Sequence, residues 1–376
     1  MKKTLVAVAA LAAVTGAMAE VKISGIFDQA VISTSKTSAA GVGTTTKSFG
    51  EDINGFSELG FSGSEDLGNG MTATFGLNYS LSNTTSGSQP TIYNGTGLGL
   101  SGAFGSINIG TSYNQNFFTN AIADASGFAG ASVGQLNGNA GGLKNGILTY
   151  TAPQFAEGLT LGAELVRGAT TTNAGNSVGY MAQYTNSGLL IRASTSLTTQ
   201  AANATTNAYD SSTGAASTTD TQSSQLASSS IGGTSTALSA FTAGAGLRST
   251  AWAVTYDFGM AKIYYGMSDL KNTNTIARLE STTYGVSAPI GAITIGYAYS
   301  TETGTSDGTG LDSSSAVAVA TGKTIDSNGQ RLLATYSFSK RTTAYFMYGL
   351  TDVGSIAGAA SKLASKTNSF GIKHTF

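Results

Sequence analysis

Apolar and polar positions alternate one for one along most of this chain. In MTATFGLNYSL (71–81), Met71, Ala73, Phe75, Leu77, Tyr79 and Leu81 share one face, and Thr72, Thr74, Gly76, Asn78 and Ser80 share the other. STAWAVTYDF places Trp252, Val254, Tyr256 and Phe258 on one side, and GAITIGYAYS does the same with Ile293, Ile295, Tyr297 and Tyr299. A period of two is the signature of a strand with one apolar face, not of a helix. No segment after the first nineteen residues carries convincing helical spacing, so an all-β chain is expected.

The connections between these strands alternate in length. Short ones lie at 64–70, 101–105, 152–158, 185–188, 259–260, 288–291 and 339–341. Long ones lie near 34–55, 83–94, 114–145, 168–176, 198–248, 268–280, 301–328 and 351–366. Seven short and eight long connections join sixteen antiparallel strands and put both ends of the barrel wall on the short-turn side.

A soluble sandwich buries its apolar faces, whereas a transmembrane barrel turns them to lipid and encloses a polar interior. The aromatic residues choose between the two. Phe258, Phe338 and Phe376 each close a strand before a short turn or at Phe376 itself, with Tyr256 and Tyr336 two residues earlier on the same face. Rings stacked at one height form an interfacial girdle. SFGIKHTF (369–376) continues the pattern: Phe370, Ile372, His374 and Phe376 point one way, and Ser369, Gly371, Lys373 and Thr375 the other. Closing the sheet requires a partner for this strand, and EVKISGIFDQAVI (20–32) supplies one, with Val21, Ile23, Phe27 and Val31 outward. The expected fold is a 16-stranded antiparallel transmembrane β-barrel.

Composition agrees with that expectation. Residues 1–19 combine Lys2 and Lys3, an apolar run from Leu5 to Val14 and the small-residue site Ala17-Met18-Ala19, which reads as a cleaved signal peptide ahead of one barrel domain over 20–376. Removing Lys2 and Lys3 takes the formal net charge from −1 to −3, which argues against a nucleic-acid partner. There are no cysteines to staple the fold, and only 10% of residues are charged. Beyond residue 19 no stretch is apolar for long enough to form a transmembrane helix.

In order along the chain, LGFSGSEDLGNGMTATFGL (59–77), GLSGAFGSINIG (99–110), LTYTAPQFAEGL (148–159), YSFSKRTTAYFMYG (336–349) and the closing GIKHTF resemble the general porins of Gram-negative outer membranes. The resemblance implies a water-filled homotrimeric channel in outer-membrane lipid and lipopolysaccharide, passing ions and small hydrophilic solutes by diffusion; the alternatives are a substrate-specific channel of the same fold and an adhesin-like surface barrel. It also implies that the third long connection folds into the lumen as a constriction. Phe370, Ile372, His374 and Phe376 would then be the signal read by the barrel-assembly machinery. Independently, residues 114–145 make a connection of roughly 32 residues whose NFFTNAIADASGFAGASVG is too apolar for a free surface loop.

Charge in the passage is where this chain departs from the resemblance. Relatives carry arginine where Glu58, Thr111 and Thr149 stand here, and the third connection offers a single acid, Asp124. Alternation puts Lys22, Arg192, Arg331 and Lys373 on inward faces. An unopposed Asp124 facing Thr111 and Thr149 predicts weak cation preference. Other candidate chemistry is thin. His374 is the only histidine and lies on the girdle face, Gly97-x-Gly99-x-x-Gly102 runs into a hairpin where a nucleotide fingerprint needs a helix, and no cofactor or metal site is expected.

Overall fold

The structure is a computed structural model. It describes residues 21–37, 42–81, 91–126, 143–167, 176–199, 208–209, 216–217, 246–274, 276, 278–305, 322, 324–353 and 363–376. The expected signal peptide and most of the 198–248 connection lie outside the described residues.

One antiparallel wall takes up nearly all of the described chain. It begins with β1 (Lys22–Thr37), followed by β2, built of two segments (Gly43–Glu51 and Glu58–Gly68), and β3 (Met71–Ser80). Next come β4, again in two segments (Thr91–Ile92 and Thr96–Gly102), β5 (Gly105–Tyr113), β6 (Leu143–Thr151), β7 (Leu159–Val166) and β8 (Asn176–Asn186). The second half comprises β9 (Leu189–Thr199), β10 (Leu247–Asp257), β11 (Lys262–Asn272) and β12 (Arg278–Ile290). It ends with β13 (Ile293–Thr305), β14 (Thr324–Ser337), β15 (Thr342–Val353) and β16 (Leu363–Thr375). Each strand pairs with its neighbours in sequence, and β1 pairs with β16 from Ile26↔Thr375 to Thr37↔Ala364. The eighteen hydrogen-bonded segments therefore form sixteen strands in a closed ring. Backbone bonds of 3.0 Å in both directions between Gly25 and Phe376 complete the seam, with the Phe376 ring against the Phe27 ring.

The seven expected short turns are all present. Two of the expected long connections are largely strand, and strand enters a third at both ends. Residues 43–51 pair with β1, β11 and β12 run to Asn272 and from Arg278, and β13 and β14 run to Thr305 and from Thr324. These stretches carry few apolar side chains, so the apolar alternation fades while the backbone ladder continues.

The wall is inverted relative to a soluble β-protein. Leu98, Ile109, Tyr180, Ile191, Trp252 and Phe370 are exposed on the outer surface. The inward positions are mostly small or hydroxyl-bearing, and hydroxyls bond across the ladder, as at Ser268–Ser281 (2.7 Å) and Thr283–Ser300 (3.0 Å). Such a face needs lipid, because so much apolar area left in water would drive association. The girdle is present as Tyr256–Phe258 and Tyr336–Phe338 ring pairs, with centroids 4.6 and 5.1 Å apart.

Among the described residues two features break the strand rule, both within the barrel. One is a helix, α1 (Gln115–Ile122), where no helix was expected. The other is the pair of interruptions at 52–57 in β2 and 93–95 in β4. Asp52 adopts φ +61°, and Gly95 adopts φ +84°, so the backbone leaves the pleat at both places.

Candidate functional site

The described start of the third long connection, residues 114–126, lies against the lumenal faces of β9–β13. Asn114 caps α1, its Oδ1 accepting the Phe117 N–H at 2.9 Å. Glu164 on β7 accepts the Gln115 N–H at 2.8 Å, which sets a carboxylate at the positive end of the helix. The wall beneath α1 is lined with hydroxyls, so the face that meets it is polar. Asn116 donates to Ser196 Oγ (2.9 Å) and the Ser249 carbonyl (3.3 Å), while Thr119 pairs with Ser194 at 2.7 Å. Arg192 donates to Thr119 Oγ1 (3.1 Å), Gln183 Oε1 (2.9 Å) and Gln115 Oε1. On the remaining side Phe117 stacks on Tyr113, with centroids 3.7 Å apart.

Beyond the helix the backbone runs closer to the wall. A Cβ placed on Gly266 would sit 2.4 Å from Ala123 Cβ, and one on Gly296 would sit 2.2 Å from the Ala125 carbonyl oxygen. Glycine is required wherever two backbones approach this closely.

Residues 52–57 form a second inward fold. Ile53 packs against Ala30, Leu333, Tyr345 and Met347, an apolar patch on the inner wall of β1, β14 and β15. Asp28, fully buried, accepts from the Asn54 N–H and the Tyr345 hydroxyl. Lys373 donates to the Asn54 carbonyl (2.8 Å) and Arg331 to the Ile53 carbonyl (2.7 Å). Phe56 then meets Tyr93 at 5.6 Å between centroids, and the Tyr93 and Tyr113 hydroxyls pair at 2.8 Å. One aromatic cluster therefore joins the two strand interruptions to the root of α1.

The residues singled out from sequence are distributed as follows. Arg192 touches α1 as above, and Glu58 lies half-buried at the start of the second segment of β2, near Tyr93 and Tyr113. Lys22 is exposed opposite Ser62 at the start of the wall. Thr149 stands between Asn108 and Glu164 in the ladder, and Thr111 donates to Asn145 Oδ1 at 3.0 Å. Asp124 does not stand unopposed across from Thr111 and Thr149. It is 5% exposed, accepts Ser126 N–H and Oγ–H at 2.9 and 2.6 Å, and lies in the field of Arg331, which is itself fully buried. The expectation of a lone carboxylate in the passage is corrected on that geometry. Phe370, Ile372, His374 and Phe376 are all exposed on the outer face, with His374 Nδ1 2.9 Å from Thr342 Oγ1. Sequence reasoning missed Glu164, Asp28 and Tyr345. Alternation in LTLGAELV did carry a signal for Glu164, an acid on the inward face of an otherwise apolar strand.

A family described as Gram-negative porin matches residues 7–354. The chain belongs to that family. Over 172 residues it is 33% identical to outer membrane porin protein 32 of Delftia acidovorans, a match spanning 41% of this chain and 47% of that one, about half its length. Among solved structures it resembles an anion-selective porin from Comamonas acidovorans, with a TM-score of 0.70, 19% identity and coverage of 95% of this chain and 100% of that one. The trimer form of OmpT from Vibrio cholerae gives a TM-score of 0.62 at 13% identity, covering 95% and 99%. As a porin the chain resides in the Gram-negative outer membrane, and family and fold indicate a channel rather than an enzyme.

Proposed function

We propose that this porin is a passive diffusion channel for ions and small hydrophilic solutes, assembled as a homotrimer in outer-membrane lipid and lipopolysaccharide. The observation that carries the reading is the inverted wall, closed by the β1–β16 pairing: large apolar side chains outside, and a lining in which small and hydroxyl residues predominate inside. A sixteen-stranded barrel is wide enough to hold an aqueous passage. Residues 114–126 and 52–57, lying against the inner wall, narrow that passage. Solutes are sorted by size and by the field at that level, with no chemical step.

Around residues 114–126 opposite charges offset one another: Asp124 lies in the field of Arg331, and the charges of Lys144 and Arg192 act on Glu164. Selectivity between small cations and anions is accordingly weak. Phe376 and its alternating partners serve as the signal for the barrel-assembly machinery. Liposome swelling tests the reading. Vesicles carrying the protein should swell in small sugars at rates that fall smoothly with solute size. Uptake confined to one solute class would mean a dedicated channel, and no swelling would mean a closed barrel.

A further inference from the structure

Arg331 is fully buried on the inner face of β14, yet only one of its guanidinium nitrogens has a hydrogen-bond partner: Nη2 donates to the Ile53 carbonyl, while Nε and Nη1 have none. Directly across the ladder from Arg331 is Ala298 on β13, and Ala298 is the residue on which Ala125 packs. The neighbouring Asp124 is equally sequestered, with Oδ1 held by Ser126 and Oδ2 unpartnered. Arg331 thus lies between two inward folds that are far apart in sequence, one seated across the seam on β1, β14 and β15 and the other on β11–β13. It bonds the 52–57 fold directly and lies in the field of the acid of the 124–126 fold. A buried guanidinium is expensive unless opposite charge and acceptors surround it, and here each inward fold supplies part of that compensation.

We propose that Arg331 is a positioning residue of the channel, coupling residues 52–57 to residues 124–126 so that two inward folds together set the width of the passage. The inference rests on the diffusion-channel reading above. It assigns Arg331 a role different from that of a wall cation facing solutes: its charge acts on the folds, and the folds act on the passage. Asp28 and Tyr345 belong to the same seat, because Asp28, which accepts from the Tyr345 hydroxyl, holds the Asn54 N–H while Arg331 holds the Ile53 carbonyl.

Single-channel recording on the full chain, with unit conductance and reversal potential read together, tests this. Arg331→Met frees both folds, so the unit conductance rises and the open state becomes noisier, while the reversal potential in a salt gradient stays close to that of the unaltered protein. Arg331→Lys keeps a donor for the Ile53 carbonyl and a charge for Asp124, and returns the conductance most of the way. Asp124→Asn, which leaves the Ile53 bond in place, gives a smaller rise in the same direction; it carries the test if Arg331→Met does not fold. Conductance unchanged in both variants overturns the inference and leaves the channel reading standing. A reversal potential that moves toward cation preference in Arg331→Met at constant conductance also overturns it, since Arg331 would then be a charge facing the passage. An unaltered protein that does not conduct removes the channel reading itself.

Discussion

Gly266, Gly285 and Gly296 determine how near residues 123–126 can come to the wall. Their sites are flat because a side chain at any of them would meet Ala123 or Ala125. Gly296→Ala would place a Cβ 2.2 Å from the Ala125 oxygen, so the fold must lift away from β13 into the passage. We expect a folded protein with lower unit conductance; unchanged conductance would mean that residues 124–126 do not bound the passage. Asp28 offers a test of the other fold. Asp28→Ala removes the acceptor for the Asn54 N–H and the Tyr345 hydroxyl in a buried site, at a cost of about 1–3 kcal/mol for each donor left unsatisfied. A lower urea midpoint for the folded barrel checks it, and an unshifted midpoint would show that residues 52–57 are held without Asp28. Individual residues were only partly legible in the sequence. Alternation puts Arg192 and Arg331 on the inward side, where they are, but cannot tell a residue that faces solvent from one covered by another segment. Asp124 escapes for that reason: nothing in its sequence neighbours reveals that it is buried within the field of Arg331.

At the scale of elements, strands and short turns were readable because lipid on one side and a wet lumen on the other impose a strict period of two. Segments that meet neither boundary escaped. The helix α1 shows why. It is only two turns long, and of its four buried residues three, Asn116, Thr119 and Asn120, are polar because they meet a wall of serine hydroxyls, so the apolar stripe of Phe117, Phe118, Ala121 and Ile122 does not mark the face on that wall. The 52–57 fold is equally silent, since its seat on Ala30, Leu333, Tyr345 and Met347 is assembled from β1 together with β14 and β15, which lie far from it in sequence. The final strand is the opposite case, fully legible and testable. Phe376 pairs with Gly25 through its backbone and covers it with its ring. Deleting Phe376 therefore weakens the seam and removes a girdle ring together with the proposed assembly signal. We expect little heat-modifiable barrel in the outer membrane and accumulation in the periplasm. Normal yield from the truncated chain would reduce the pattern to a lipid-facing strand.

The whole molecule was predicted well in outline because closure is a global constraint: sixteen strands with alternating turn lengths leave no other partner for the last strand than the first. Assembly is the next level up. Leu98, Leu100 and Ile109 are exposed on the outer face of β4 and β5, an apolar surface that a second barrel can cover. Native mass measurement in detergent should give three chains, and a conducting monomer would contradict that. The central claim is that the enclosed space is a continuous water path. Unit conductance in planar bilayers, followed as potassium chloride is raised, tests it most directly. A water-filled passage gives a linear current–voltage relation whose conductance follows that of the bulk electrolyte. Conductance that saturates at low salt, or a barrel that inserts and passes no current, would contradict it.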